Sequence, residues 1–293
     1  MKAGKGLRGT ARRASLLPAR YGLTPDKLRT RIRAMTADLS RWEATPTVPV
    51  TANALDRHPE IAGDLVGCDS AIHGYRHVRY AGLSEAAQSH DLDLASRAFR
   101  NHQVPVQGFR APYLAADATT RALLKSRGFA YDSSSPSMAL PTDHPAAGEI
   151  VRLAEARYGD VPSGPARPTL EGGLVELPVA LPDDEILIDG LGIDNEEGLG
   201  RIFQAMLRPA LDAGALLVLQ IHPERFHLCS KAIGGVLRSA TDGGAWIAPL
   251  SEIASHVRAS PSGWPAGHAM ALAVTGDLDA VSLLDFARRV WEG

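Results

Sequence analysis

The sequence has few cysteines, no marked excess of charge of one sign and no long apolar run. Its two cysteines, Cys68 and Cys229, are too few for a disulfide framework, so we expect reduced thiols in a cytoplasmic protein. The formal net charge of −2 provides no general basic field, and nucleic acid is therefore not an expected partner. No apolar run reaches the roughly 18–20 residues that a membrane-spanning helix needs.

The N-terminal region is basic, since Asp26 is the only acidic residue among the first 37. It also lacks the apolar core of a signal peptide. We predict a basic, weakly ordered tail over residues 1–20 and a single domain over residues 21–293. A weak contact of this tail with an anionic membrane surface is the alternative to a free tail.

Helix and strand patterns alternate along the rest of the chain. This order is typical of an α/β fold with parallel strands, and we predict a single-domain, irregular (β/α) barrel of about seven strands. Barrel enzymes carry their chemistry on the loops that follow the C-terminal ends of the strands. Five polar residues fall at such positions, namely His73, Arg110, Asp132, His222 and Asp277.

Two segments have less regular patterns. Thr45–Thr51 is rich in β-branched residues, but its two prolines favour an edge or irregular strand over a central one. Residues 133–173 are rich in Pro, Gly and Ser, and this composition predicts a long loop with a brief strand near Ile150–Ala154.

Two histidines four residues apart, His73 and His77, form the first candidate metal site. If the segment turns helically, both imidazoles lie on one face and can converge on one ion. Neutral imidazole is the commonest side-chain ligand for zinc-like metals. The alternative is a pair of partly exposed histidines at the start of a helix.

These motifs together resemble the polysaccharide deacetylases, also called carbohydrate esterase family four. The segment His73–His77 is similar to the family's His-x-x-x-His motif, Arg110–Tyr113 to its Arg-x-Pro-Tyr motif, and His222 to the histidine that ends a later strand. The resemblance extends from about Thr45 to Val257. It implies a barrel fold and the removal of an N-acetyl group from an amino sugar or glycan.

The family's first motif, a strand that ends in Asp-Asp or Asp-x-Asp, is missing from the N-terminal 70 residues. A similar segment lies at the other end of the chain, where Met270–Thr275 leads into Gly276-Asp277-Leu278-Asp279-Ala280. We therefore predict a circularly permuted barrel in which Gly267–Ala280 inserts as the first strand. The alternative is a C-terminal strand followed by two surface aspartates.

The resemblance implies a metal site made by His73, His77 and Asp279. Zinc is the expected divalent ion. Bound there, it would lower the pKa of a water molecule towards roughly 7 and polarise the substrate carbonyl.

The resemblance also implies the acid–base groups of the reaction. Asp277 would be the catalytic base, with Arg110 as its charge partner. The backbone N–H of Tyr113 would help to bind the oxyanion, and His222 would protonate the departing amine. Asp183 and Asp184 either tune His222 or contact substrate, or they are solvated loop acids. Both interpretations stay open, so these two residues and Asp132 are left outside this set.

The expected protein is thus a metal-dependent N-deacetylase whose partner is an N-acetylated sugar or glycan. Two alternatives stay open at this point. One is a cyclic amide hydrolase of the same superfamily, because the Asp-x-Asp-Ala variant also occurs in relatives of that class, some of which need no metal. The other is a relative that binds carbohydrate without cleaving it.

Overall fold

The computed structural model describes residues 17–18, 20–260 and 262–292, and the predicted N-terminal tail lies almost wholly outside them. The α-helices beyond residue 20 are α1 (Asp26–Ser40), α2 (Ala52–Arg57), α3 (Ile61–Asp64), α4 (Glu85–Asn101), α5 (Ala118–Ser126), α6 (Ala147–Tyr158), α7 (Glu196–Ala213), α8 (Phe226–Asp242), α9 (Leu250–Ala259) and α10 (Leu283–Glu292). A π-helix spans Glu185–Leu191, and 3-10 turns span Pro112–Leu114 and Pro265–Gly267. None of the described helices is both long and apolar enough to cross a membrane.

The strands form one sheet of parallel pairs, apart from the antiparallel pair of β6 and β7. They are β1 (Thr47–Val50), β2 (Asp69–Ile72), β3 (Gly108–Phe109), β4 (Tyr131–Asp132), β5 (Pro136–Met138), β6 (Thr169–Glu171), β7 (Leu174–Glu176), β8 (Val179–Leu181), β9 (Leu216–Gln220), β10 (Ala245–Ile247) and β11 (Met270–Thr275). Their order in the sheet is β5-β8-β9-β11-β1-β2-β3-β4-β7-β6, and β10 pairs with β11 outside this path.

The sheet curls into a barrel at a bend between β7 and β8. Only Leu177 and Pro178 separate these strands, and the ladder crosses the bend through bonds from Leu177 N to Asp132 O and from Val179 N to Ser135 O. Since β7 pairs with β4 and β8 pairs with β9, this bent segment closes the sheet on itself. If β4 and β5 are counted as one position and β7 and β8 as another, the barrel has seven strand positions. They are β1, β2, β3, β4/β5, β7/β8, β9 and β11. The predicted α/β barrel fold is confirmed.

The C-terminal strand β11 lies inside the sheet, between β9 and β1. Five of its residues pair with β9, and Thr275 pairs with Thr47 of β1. All six of its residues are buried. The apolar sequence of β11 is explained by this position, since a strand of a parallel barrel is covered on both faces.

The strand β1 is central rather than an edge, so the prediction for Thr45–Thr51 was wrong in this respect. Pro49 is tolerated because its missing N–H falls on the side of β11, beyond the last paired residue of that strand. On that side the Pro49 carbonyl still accepts from Leu278 N, and Thr51 N donates to Leu278 O. The irregular pairing of β1 that its prolines predicted is therefore confined to the place where β1 continues past the end of β11.

The segment around Ile150 is a helix, not the predicted brief strand. Helix α6 spans Ala147–Tyr158 and buries Ala147, Ile150 and Ala154 at intervals of three and four residues. This spacing places the three side chains on one helical face, which gives the segment its apolar contact with the core.

The C-terminal helix α10 packs beside the start of the domain. Leu283 N donates to Gly22 O, and the rings of Tyr21 and Phe286 lie 5.6 Å apart. Part of this helix faces solvent, since Leu284 and Val290 are 58% and 38% exposed.

Candidate active site

The two candidate metal-binding histidines leave β2 in an extended loop and not on a helix. His73 directly follows the strand, and Gly74 adopts a φ of +74°. A Cβ atom at Gly74 would lie 2.8 Å from Arg76 O, so the turn requires glycine. The predicted helical turn was wrong, but the loop still brings the two imidazole rings to a centroid distance of 5.2 Å.

Asp279 lies beside both histidines. Its Oδ1 is 3.4 Å from Nε2 of His73, and its Oδ2 is 3.3 Å from Nε2 of His77. Among the described residues these three form a cluster whose candidate ligand atoms all lie within 4.8 Å of one another. The predicted alternative of two surface aspartates does not fit, because Asp277 is buried and the side chain of Asp279 is only 13% exposed.

The polar atoms of this cluster fit a divalent cation. Nδ1 of His73 donates to the Arg110 carbonyl at 2.7 Å, so in a neutral ring the Nε2 lone pair faces the oxygens of Asp277 and Asp279. Oδ1 of Asp279 is buried and has no hydrogen-bond partner. Tetrahedral zinc with ligands at about 2.0–2.1 Å separates neighbouring ligand atoms by about 3.3 Å, close to the separations here. A cation between these atoms would satisfy all of them.

The protonation of the cluster also suits a metal. Burial lowers the pKa of His77 well below its ordinary value, so this ring is neutral and can act as a ligand. Burial alone would raise the pKa of Asp279, but the positive charge of Arg289 beside it helps to hold this pKa well below the usual range. Arg289, on α10, forms an ion pair with Oδ2 of Asp279, and no motif in the sequence indicated this contact.

Asp277 is held by two side chains from neighbouring strand ends. Arg110 Nη1 donates to its Oδ1 at 2.9 Å, and Gln220 Nε2 donates to its Oδ2 at 2.8 Å. Arg110 is fully buried, and it also donates to Thr275 Oγ1 and to the backbone carbonyl and hydroxyl of Ser133. These bonds fix the guanidinium in place beside the carboxylate. Sequence reasoning expected Arg110 here and missed Gln220.

Gly276 permits the close approach of β11 to the end of β9. A Cβ atom at this position would lie 2.3 Å from the carbonyl oxygen of Ile221. Because Thr275 pairs with Gln220, the two chains continue side by side and bring His222 to the same level as Asp277. A larger residue would push apart the two strand ends that carry these side chains.

His222 is fixed by Asp184, a residue that was left outside the predicted catalytic set with tuning of His222 as one of its two interpretations. Asp184 Oδ1 lies 2.7 Å from His222 Nδ1, and Asp184 Oδ2 accepts from the His222 backbone N–H at 2.8 Å. Burial alone would lower the pKa of His222, but the charge of Asp184 and its hydrogen bond raise this pKa to about 10. Asp183 and Asp184 are both fully buried, so the interpretation as solvated loop acids was wrong.

The remaining predicted residue, Tyr113, has an unusual backbone conformation. Tyr113 and Leu114 have φ values of +61° and +53°, which L-residues rarely adopt and which commonly mark functional sites. The Tyr113 ring contacts the His77 ring edge-on at a centroid distance of 4.5 Å. The Arg110–Tyr113 segment therefore borders both the carboxylate Asp277 and the histidine pair.

Asp132 is the last residue of β4, and its side chain contacts Ser134. It accepts from the Ser134 hydroxyl, which in turn accepts from Ala111 N at 2.8 Å. Burial, with Glu176 nearby, raises the pKa of Asp132 well above its usual value. Asp132 thus supports the backbone of the Arg110–Tyr113 segment and does not contact the metal-binding cluster.

Comparison with known proteins agrees with this geometry. A family model described as polysaccharide deacetylase matches residues 21–131. A crystal structure from Mycobacterium smegmatis, assigned as a polysaccharide deacetylase, is 26% identical, with a TM-score of 0.61 over 87% of this chain and 85% of that chain. The matched part of the chain, which carries the histidine pair and Arg110, is thus similar to the polysaccharide deacetylases.

Two further solved structures share the fold of this chain at lower identity. One, from Pseudomonas aeruginosa and also assigned as a polysaccharide deacetylase, is 21% identical, with a TM-score of 0.58 over 78% of this chain and 73% of that chain. The other is PuuE allantoinase, 19% identical, with a TM-score of 0.55 over 76% and 70% of the two chains. No curated protein matches the sequence.

Proposed function

We propose that this protein is a metal-dependent hydrolase that removes the N-acetyl group from an amino sugar or glycan. One observation carries the proposal: Asp279 meets His73 and His77 at metal-ligand spacing, directly beside a carboxylate, Asp277, that Arg110 holds in place. Three protein ligands leave a coordination position open for water, as hydrolytic zinc sites require. Zinc is the ion that this donor set fits best.

The ion, when bound, would supply an acidified water molecule and a positive charge for the substrate carbonyl. Asp277 is placed to take the proton of the attacking water, because Arg110 and Gln220 orient both of its oxygens. The backbone N–H of Tyr113 is proposed to donate to the oxyanion that forms on the acetyl carbon. Its strained backbone is consistent with a fixed donor of this kind.

The C–N bond then breaks, and the departing nitrogen needs a proton. His222 can supply it, because the ion pair with Asp184 keeps the imidazolium protonated at neutral pH. The products are acetate and a free amine. Nδ1 of His222 is occupied by Asp184, so Nε2 is the nitrogen that would donate.

We also propose that the barrel is circularly permuted relative to the family's usual order. The support is that the strand before Asp277 and Asp279 is the last along the chain but lies between β9 and β1 in the sheet. In an unpermuted chain, a strand in this place would precede β1 in sequence. The predicted insertion of Gly267–Ala280 as a first strand describes the same arrangement.

A cyclic amide hydrolase that needs no metal is the second candidate. The ion pair of Arg289 with Asp279 favours it, because a guanidinium supplies positive charge beside the proposed ligand. The fold shared with PuuE allantoinase is compatible with both candidates.

Metal content and turnover separate the two candidates. The purified protein is analysed for metals, dialysed against a chelator, and assayed on chitooligosaccharides and N-acetylhexosamines before and after one equivalent of Zn²⁺ is restored. The proposal requires acetate release that is lost on chelation and recovered with the ion. Ring opening of a cyclic amide that survives chelation would instead support the second candidate.

A further inference from the structure

A shallow cleft lies beside the metal-binding cluster, between the His73–His77 loop, helix α2 and helix α10. His77 and Asp279 form one part of its wall. Three arginines, Arg57, Arg76 and Arg289, form another part. Three guanidinium groups therefore border the cleft next to the proposed reaction centre.

The guanidinium of Arg76 has donors to spare. Its side chain is 53% exposed, and its Nε lies 3.8 Å from Asp91 Oδ2, too far for a hydrogen bond. The oxygens of Asp91 are already taken by Tyr75 N at 2.7 Å, Arg76 N at 3.3 Å and the Tyr80 hydroxyl at 2.5 Å. The side-chain N–H groups of Arg76 are thus available to a ligand.

The other two arginines are held in fixed positions. Arg57 Nε donates to Asp285 Oδ1 at 2.8 Å, and Arg289 pairs with Asp279 while its guanidinium lies 5.0 Å from the centre of the Phe286 ring. Each guanidinium has five N–H donors, so these contacts leave others unused. Fixed donors reduce the entropy cost of binding a charged group.

Thr51 provides a second, independent sign of a ligand. Its side chain is 1% exposed and lines the cleft, and its Oγ1 has no hydrogen-bond partner among the described residues. A buried hydroxyl without a partner is uncommon and usually has a functional reason. The hydroxyl can donate to an oxygen of a group that enters the cleft.

We propose that the acetylated sugar carries a negatively charged group, a carboxylate or a phosphate, which this cleft binds. The inference rests on the proposed deacetylase function. Arg76 is the principal contact, with Thr51 Oγ1 as a further donor. Arg79, whose guanidinium lies 5.9 Å from the centre of the Tyr113 ring, adds positive charge on the other side of His77. The acids that face these arginines are Asp91, Asp279 and Asp285.

The test compares kcat/KM for N-acetylglucosamine, N-acetylglucosamine 1-phosphate and N-acetylmuramic acid in the zinc-loaded protein. We expect at least one anionic sugar to exceed the neutral sugar about tenfold or more, and Arg76→Gln to reduce this ratio about tenfold. Arg208→Gln is the matched control, since Arg208 is exposed and pairs with Asp212 on the outer surface of α7. The ratio should also fall as salt is added.

A binding measurement keeps the two proposals distinguishable. Calorimetry with N-acetylglucosamine 1-phosphate and N-acetylmuramic acid in the Asp277→Asn variant measures affinity without turnover, and it shows which anion the cleft prefers. Deacetylation of all three sugars at equal rates, with no effect of Arg76→Gln, would overturn the inference and leave the proposed function standing. Arg76-dependent binding of an anionic sugar would support the cleft. If the zinc-loaded protein without substitutions then released no acetate from any of the three sugars, the deacetylase proposal would be overturned.

Discussion

The contact between Asp184 and His222 gives the sharpest test of the proposed chemistry. Both oxygens of Asp184 bind His222, one at the ring and one at the backbone N–H. Asp184→Asn keeps the size of the side chain and removes its charge. The backbone bond can persist through the amide oxygen, so the substitution acts mainly on the protonation of the ring.

The size of the effect follows from the pKa of His222. With Asp184 ionised, this pKa is raised to about 10, and the ring is almost fully protonated at pH 8. Without the charge, the ordinary value of about 6.5 is an upper limit, because burial lowers it further. At pH 8 at most about 3% of the rings would then carry the proton, a loss of at least about 30-fold in kcat. At pH 6 the loss would be smaller, about 1.3-fold at the limiting value of about 6.5 and larger if burial lowers the pKa further.

The assay measures kcat for acetate release between pH 5.5 and 9 in the wild type and in Asp184→Asn. We expect the basic limb of the profile to move from near pH 10 to pH 6.5 or lower. His222→Ala should instead lower kcat by about 10²–10⁴ without this recovery at low pH. The exposed carboxylate variant Asp143→Asn is the control. A uniform loss with an unmoved basic limb would show that Asp184 has only a structural role and that His222 is not the proton donor.

Three further predictions concern the cluster and the strand that carries it. His73→Ala and His77→Ala should each remove the metal and the activity, and full occupancy of the double variant by elemental analysis would contradict the site. Asp277→Asn should retain the metal and abolish turnover; normal kcat in this variant would exclude it as the base. Ending the chain before Ala266 should expose the edges of β9 and β1 and cause aggregation, which size-exclusion chromatography would detect; a monomeric, folded product would contradict the account of β11.

The convergence of the site could be predicted because it depends on one simple rule. His73, Arg110, His222 and Asp277 follow β2, β3, β9 and β11, which lie in one part of a parallel sheet. The ends of parallel strands meet at one rim, so residues far apart in sequence become neighbours. Strand ends can be recognised locally from an apolar run and the polar residue after it. The loop geometry of His73–His77 could not be predicted in this way, because it depends on the positive φ of Gly74.

The residues that sequence reasoning missed, or left outside the catalytic set, share a different property: their partners lie far away in the chain and no local pattern marks them. Asp184 is separated from His222 by 38 residues and stands in a polar segment that suggests a loop. Gln220 reads as the last residue of a buried strand. Arg289 lies on α10 close to Trp291, which is 92% exposed. The sequence around Arg289 therefore resembles a solvent-facing helix and does not indicate the ion pair with Asp279.

Closure of the barrel and assembly of the site are one event in this architecture. β11 joins β9 to β1, and the same strand carries Asp277 and Asp279 to Arg110 and to the histidine pair. Pairing of Thr275 with Thr47 closes a long loop, so it is costly in entropy until the surrounding contacts form. Stability and activity should therefore be coupled most tightly at Gly276. Any side chain there would collide with Ile221 O and strain the pairing and the placement of both carboxylates together.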